Sequence, residues 1–378
     1  MLTWIEVDLN TIGQNIKKIK KYIGPQIGLA SVIKSNAYGH GLVEVAKEAS
    51  KVGVEFLAVD NVIETEKIKN IKSKILILGG VESENLPWVI KNNIHFGIYD
   101  LKFAKKVEKI SQKIKKKAKV HIKIDTGMHR LGFDCDKAVE SIKKIKNNFK
   151  NIKIMGLWSH FADSGSRENK KYTIKQIKKF KEIICEIEKI NIKIKYKHLC
   201  NSSGIMALPE AHFNLVRAGI IIYGIFPSET MKRKYKNKLK IKSALSFKTR
   251  IISLRELPKG EKIGYGLTYC LRKKSKIAVL AVGYKDGYGR SLSNKGIVII
   301  RQKRCKVVGR ICMRMLMVDV SNVRGVRLDD EAVLLGGDEH ARIEADEVAK
   351  KMDTIPYEVL SRISESVPRI YKNRSITK

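Results

Sequence analysis

The feature that most constrains this chain is an alternation running through its first two-thirds. Eight short apolar runs, at 27–33, 56–59, 75–78, 95–98, 120–124, 152–158, 194–199 and 214–216, are separated by longer polar stretches. Most runs are continuous rather than alternating, the pattern of parallel strands covered on both faces. Between them, 42–51, 104–117, 137–148 and 175–190 repeat apolar residues at helical spacing, which predicts helices with one buried stripe. The expectation is an α/β fold, an N-terminal (β/α)8 barrel over residues 1–235. A doubly wound sheet shares the alternation, and strand number alone leaves it open. The texture changes near residue 230. A lysine-rich stretch at 231–242 reads as a polar connector, followed by short runs with turn signals at 244–254, 276–282, 297–300, 306–308, 316–320 and 332–335. These predict a mostly β C-terminal domain over residues 236–378, interrupted by one helix at 343–351.

Composition narrows the classes. At 378 residues the chain exceeds one ordinary compact core unless part of it is a large barrel. No apolar run reaches membrane-spanning length, so no membrane partner is expected. The first ten residues lack a secretory signal, and the six cysteines (135, 185, 200, 270, 305 and 312) show neither C-x-x-C spacing nor a Cys/His cluster. A cytoplasmic protein with reduced thiols and no metal is therefore expected. The net charge of +38 invites a nucleic-acid reading. Against it, the lysines interleave with isoleucine at helical spacing, and aromatics do not interleave with the basic runs as stacking platforms. The charge is read as solvated helix faces, with no specific nucleic-acid partner.

In barrels of this kind the active site lies at the C-terminal ends of the strands. The first run ends in Lys34, flanked by Ser35-Asn36-Ala37-Tyr38-Gly39-His40-Gly41. A lysine leaving an apolar strand for the barrel mouth would be desolvated, with a depressed pKa suited to a Schiff base with an aldehyde cofactor. In a chain with 76 Lys and Arg the ordinary alternative is a solvated surface charge, and only the flanking string argues against it. The fifth run leads into Arg130, the sixth ends at His160, and the seventh leads through His198 to Asn201-Ser202-Ser203-Gly204. The eighth runs into Arg217-Ala218-Gly219-Ile220. The loops after strands seven and eight are where phosphate sits in phosphate-binding barrels. Taken singly, His160 and His198 fit hydrogen-bonded structural roles better than chemical ones; their shared place at strand ends brings the two readings level.

Read together, these strings resemble the alanine racemase family, pyridoxal-phosphate (PLP) enzymes of fold type III. The resemblance extends from Trp4-Ile5-Glu6-Val7-Asp8-Leu9 to Val367-Pro368-Arg369-Ile370-Tyr371. Its most specific strings are Ala30 to Gly41, Arg217 to Gly224, Gly264-Tyr265-Gly266, Ala281-Val282-Gly283-Tyr284, Gly309-Arg310-Ile311-Cys312-Met313 and Pro356-Tyr357-Glu358. The resemblance implies interconversion of L- and D-alanine, with D-alanine supplied to cell-wall peptidoglycan. It implies that Lys34 holds PLP covalently and that Lys34 and Tyr265 are the two acid/base groups, one on each face of a planar carbanion. A tyrosine of ordinary pKa is a poor base at neutral pH, and by resemblance His160 assists it. Arg217 would contact the pyridine nitrogen. Asn201, Ser202, Gly219 and Ile220, with Tyr38 and Tyr357, would hold the cofactor and its phosphate. Arg130 and the Met313 backbone N–H would bind the substrate carboxylate, and Lys123 stands where the family can carry a carbamylated lysine. Tyr265 and Met313 would come from the partner subunit of a homodimer with shared active sites.

Some positions depart from the family pattern. Lys285 follows Tyr284 where a small residue is usual, and Arg314 and Met315 follow Met313 where Asp-Gln is usual. Lys285 and Arg314 place cations near the substrate corridor, read either as neutral drift or as altered substrate choice or reduced turnover. A broader-specificity racemase, acting for example on serine, differs only in pocket volume. A decarboxylase of related architecture would need a Gly-rich phosphate segment and a C-terminal cysteine acid, and neither is seen. A non-catalytic PLP-binding barrel would lack the β domain and Tyr265.

Overall fold

A computed structural model describes residues 1–372. The chain begins with strand β1 (Thr3–Asp8), followed by the parallel strands β2 (Gly28–Val32), β3 (Phe56–Val59), β4 (Ile75–Ile77), β5 (His95–Ile98) and β6 (Ala118–Asp125). The two-residue β7 (Phe133–Asp134) pairs with β6. Then come β8 (Ile152–Trp158), β9 (Tyr196–His198) and β10 (Leu215–Ala218). The parallel order is β10-β2-β3-β4-β5-β6-β8-β9. The strand order runs once around and returns to its start, which excludes the doubly wound sheet.

The seam between β9 and β10 is closed mainly by side chains. Asn214 accepts from the Lys197 N–H at 2.7 Å and donates to the Lys195 carbonyl at 2.7 Å, while the Arg217 N–H donates to the Cys200 carbonyl at 3.0 Å. The helices pack as their periodicity predicts. Helix Leu9–Ile23 buries Ile12, Ile16, Ile19 and Ile23 on one face; Asp8 caps it by accepting from the Thr11 N–H at 2.9 Å. Helix Lys170–Lys189 buries Ile177, Phe180, Ile183 and Ile187 and leaves its lysines in solvent. No described helix is long and apolar enough to cross a membrane.

The second domain is built from β11 (Leu245–Leu257), the hairpin β12 (Lys262–Ile263) and β13 (Tyr269–Cys270), β14 (Ser275–Leu280), β15 (Ile297–Ile300), β16 (Lys303–Val308), β17 (Leu316–Asp319), β18 (Glu331–Gly337), β19 (Arg342–Ile343) and β20 (Arg369–Lys372). Strand β18 pairs with both β15 and β11, so six strands of this sheet close on themselves. Two features differ from the sequence expectation. The stretch read as a connector is largely helix Glu229–Leu239, capped by Ser228 and packed through Met231, Tyr235 and Leu239; its sparse apolar positions hid the period. The strand β1 was not expected. It lies in the second sheet, antiparallel to β11 with Ile5 opposite Phe247, and β20 runs parallel beside it. Both ends of the described chain are thus sewn into one sheet, a long-range pairing with no local signal.

The interior of the barrel contains three buried histidines, His95, His121 and His198, packed among Phe56, Tyr196 and Trp158. Burial pushes His95 down to about 3, while His121 and His198 lie well below the ordinary histidine range. His40, also fully buried, is pushed down to about 4. The folded state therefore holds all four neutral, while the unfolded chain takes up protons below about pH 6.5. Stability is complete above that pH and is lost as pH falls toward the folded values. At pH 5 each histidine costs about 2 kcal/mol, on the order of 8 kcal/mol for the four. The thermal midpoint, followed by scanning calorimetry, is expected to drop steeply between pH 6.5 and 5; a flat profile there would contradict neutral burial.

Candidate active site

At the end of β2 the backbone does something the sequence did not announce. Ser35, Asn36, Ala37 and Tyr38 all have φ between 51° and 53°, one turn of left-handed helix made of L-residues. Each such residue costs roughly 1–2 kcal/mol, so the turn persists only because its surroundings hold it. Glu64 accepts from the Ser35 N–H at 2.5 Å through one carboxylate oxygen and from the Asp60 N–H at 2.9 Å through the other. Asn36 accepts from the Leu42 N–H at 2.8 Å, and the His40 ring donates to the Tyr38 carbonyl at 2.9 Å. Arg369 of β20 reaches the Gly39 carbonyl at 3.2 Å. Gly39 itself has φ +79°, and a Cβ there would lie 2.5 Å from the Leu360 carbonyl oxygen, so no other residue fits.

The turn presents Lys34 at the barrel mouth, but not desolvated as expected. Its side chain is 38 % exposed and its Nζ lies 2.9 Å from Asp60 Oδ1, at the end of β3. Asp60 and Glu64 were missed by the sequence reading. The available signal was positional: Asp60-Asn61 directly follows the apolar run of β3, a strand end like those of Lys34 and Arg217.

Arg217, on β10, is only 3 % exposed. Its Nη1 donates to His198 Nδ1 at 2.8 Å and to the His198 carbonyl at 3.0 Å. Its Nη2 donates to the Ser159 carbonyl at 2.8 Å, the Leu199 carbonyl at 3.1 Å and His160 Nδ1 at 3.3 Å. The Nε–H alone has no partner among the described residues. Because a guanidinium only donates, His160 Nδ1 is an acceptor and its Nε2 carries the proton. Withdrawal from water, then the nearby Arg217, Arg130, Lys123 and Lys34, push His160 down to about 3, so it is neutral at pH 7. Buried Gln176 braces this region, donating to the His160 carbonyl at 3.1 Å and accepting from the Ala162 N–H at 3.0 Å.

The loops after β9 and β10 meet at Gly219. Its N–H donates to Ser202 Oγ at 3.0 Å, and a Cβ at Gly219 would stand 2.9 Å from Tyr38 Oη and 3.7 Å from Ser202 Oγ. Asn201 caps helix Ser202–Ala207, accepting from the Gly204 N–H at 3.0 Å, and also accepts from Ser164 Oγ at 2.8 Å. Ile220 opens the following 3-10 turn. Tyr357 packs on Tyr38 with ring centroids 6.0 Å apart. The first N–H groups of such turns have no partner within the turn. Lys34, Tyr38, His160, Ser202, Arg217, Gly219 and Tyr357 are thereby linked into one mouth. Lys123, its Nζ 4.5 Å from the Trp158 ring centroid, is buried and pushed down to about 8, first by burial and then by Arg130 and Arg217. Arg130 is exposed at the rim, its loop held by Asp125, which accepts four consecutive backbone N–H groups from Gly127 to Arg130. Four cations thus converge on one opening, a field suited to an anionic ligand.

The structure does not join Tyr265 and Met313 to this mouth within one chain. Tyr265 follows β12 in the second domain and is 71 % exposed, its flanking glycines packed on Met317 and Arg310. Met313 is also exposed, near Tyr284 and Met315. Arg314, one of the departures noted above, pairs at 3.5 Å with the buried carboxylate of Asp286.

A cofactor with a phosphate, an aldehyde and a ring nitrogen fits these residues. The phosphate would meet Gly219, Ser202, Ile220 and Tyr38, where the absence of a Cβ leaves room; Lys34 supplies the amine; and the unpartnered Nε–H of buried Arg217 supplies a donor for a ring nitrogen. Comparison with known proteins agrees. The chain matches the alanine racemase N-terminal domain over residues 7–227 and the alanine racemase C-terminal domain over residues 244–371. It is 40% identical over 371 residues to the alanine racemase of Methanococcus maripaludis, covering 97% of this chain and 98% of that one. The structure of an alanine racemase from Clostridium difficile superimposes with a TM-score of 0.93 at 36% identity, covering 99% of this chain and 96% of the other. That of Bartonella henselae, described with covalently bound pyridoxal phosphate, superimposes with a TM-score of 0.85 at 26% identity, over 98% and 100%. With both domain signatures, full-length relatives and a superimposable structure, the chain belongs to the alanine racemase family.

Proposed function

We propose that this protein interconverts L- and D-alanine with PLP held at Lys34, by two bases on opposite faces of the substrate, and so supplies D-alanine, a precursor of cell-wall peptidoglycan. The observation that carries the reading is the joint placement, around one barrel mouth, of Lys34, the Gly219–Ser202 cradle and the free Nε–H of Arg217. Bound PLP supplies an electron sink that acidifies the substrate's α-proton. The Arg217 guanidinium would donate a hydrogen bond to the ring nitrogen without readily transferring a proton, which would keep the sink moderate and disfavour side reactions such as transamination. Lys34 Nζ moves the proton on one face. On the other face Tyr265 serves, with its oxygen accepting from the Nε2–H of His160, a neutral donor whose tautomer is set by Arg217. Arg130 presents its planar fork to the substrate carboxylate, joined by the Met313 N–H. Tyr38, Tyr357, Asn201, Ser202, Gly219 and Ile220 orient the phosphate end.

Tyr265 and Met313 reach the site from a second copy of the chain, so the working unit is a homodimer with shared sites. Their exposure supports this: Tyr265, Met313, Tyr284 and Met315 are large apolar side chains left in solvent, and exposed apolar surface of that kind in a folded domain marks an interface. Lys123, with its amine pushed down to about 8, holds enough of the neutral form near neutrality to add CO2, forming an N–C bond and releasing a proton. The resulting anion would lie close to Arg130 and Arg217; a carbamate carbon resonance in protein equilibrated with 13CO2 tests it. The cytoplasm is the proposed location. Tyr357, packed on Tyr38 at the mouth, would fill space beside the substrate and so favour alanine over larger substrates; a panel of L-amino acids assayed for racemisation tests that choice against serine.

Three outcomes are expected. Purified protein with PLP absorbs as a lysine imine, and Lys34→Ala loses that band; an unchanged band would remove Lys34 from its role. Tyr265→Phe retains PLP but slows α-hydrogen exchange from one enantiomer by roughly 10²–10⁴ more than from the other; equal loss would argue against separate bases. Mixing Lys34→Ala with Tyr265→Phe subunits, each nearly inactive, restores about a quarter of native activity, because half the dimers are mixed and each mixed dimer has one intact site. No recovery on subunit exchange would place both bases on one chain.

A further inference from the structure

Beneath Arg217 three histidines from three strands form a chain that the reaction scheme above does not use. Arg217 Nη1 lies 2.8 Å from His198 Nδ1, His198 Nε2 lies 2.8 Å from His121 Nδ1, and His121 Nε2 lies 3.0 Å from His95 Nδ1. The direction of every bond follows from its first member. A guanidinium cannot accept, so His198 Nδ1 must, which leaves the proton of neutral His198 on Nε2. That N–H points at His121 Nδ1, which must then accept, and the same logic passes to His95. All three rings carry their proton on Nε2, and adding one to any Nδ1 would set two donors against each other.

The column is built rather than incidental. Its rings are at most 3 % exposed, with His121 stacked on Tyr196 and His198 stacked on Trp158, each pair within 8° of parallel. Gly156 of β8 makes room for it: a Cβ there would fall 2.2 Å from His121 Nδ1. The β6–β8 register shifts between Val120 and His121, where the ring enters.

We propose that His121 and His95 are positioning residues which, through His198, fix the rotation of Arg217 and so aim its one free N–H into the cofactor site. This rests on the function proposed above for the role of Arg217, but the chain of tautomers stands on geometry alone. Removing the acceptor at His95 strands the buried His121 N–H. The column relieves this by reversing its tautomers, which brings a His198 Nδ1–H against Arg217 and turns the guanidinium away.

The test is long-range 15N NMR on histidine-labelled protein, with and without PLP, combined with visible absorption of the loaded enzyme. The native protein should show all three column histidines protonated on Nε2 only. His95→Leu should populate Nδ1–H forms of His121 and His198, shift the absorption maximum of bound PLP, and lower kcat roughly tenfold with KM for alanine little changed. His95→Gln, which restores an acceptor oxygen, should return all three readouts toward native. Gly156→Ala, which removes no polar group but places a methyl against His121, should reproduce the His95→Leu spectrum. A native His198 protonated on Nδ1 would overturn the proposal, as would a His95→Leu protein with native tautomers and absorption. A native protein that shows the expected tautomers but neither binds PLP nor racemises alanine would support the column while refuting the function.

Discussion

Everything at the barrel mouth depends on burying one charge. Arg217 sits 3 % exposed in the interior of a barrel, where an unsatisfied guanidinium would be untenable. It is tolerated because the strand ends turn their polar groups toward it: the carbonyls of Ser159, His198 and Leu199 and the ring nitrogens of His160 and His198 all accept from it. Its main-chain N–H also helps close the seam between β9 and β10. One residue therefore ties barrel closure, the tautomers of two histidines and the floor of the site together. As an obligate donor it imposes direction on its neighbours.

The second constraint is backbone strain at Lys34. Four consecutive residues in the left-handed region would not survive in an isolated peptide. They are held here by Glu64 from the helix Val62–Ile68, by His40, and by Arg369 from the last described strand. The contact with Arg369 is why the second domain matters to the first even within one chain. β20 is held beside β1, and β1 is held by β11, so the sheet that carries Tyr265's domain also braces the turn that carries Lys34.

How much of this was legible depended on the range of the signal. The eight barrel strands were readable because each is a continuous apolar run with amphipathic stretches between, and β3, β5 and β8 have the bounds expected of 56–59, 95–98 and 152–158. Lys34, Arg217 and the loop from Asn201 were legible because strand ends are where a barrel places chemistry. Asp60 and Glu64 were not, since their importance lies in a left-handed turn that no residue type advertises. Lys34 was expected to be desolvated and is instead ion-paired, because the carboxylate it meets lies 26 residues later, just past the end of the neighbouring strand. The strand β1 escaped notice because its partners are some 240 residues away.

The sequence by itself determined the periodicities, and with them the barrel, the β domain and the family, because hydrophobic spacing and short chemical motifs are local properties. Tertiary structure alone decided which way the protons point. His95, His121 and His198 are scattered over about a hundred positions, and each alone is an ordinary buried histidine. Only closure of the barrel sets them in line beneath a group that can donate but never accept, and only that contact fixes their tautomers.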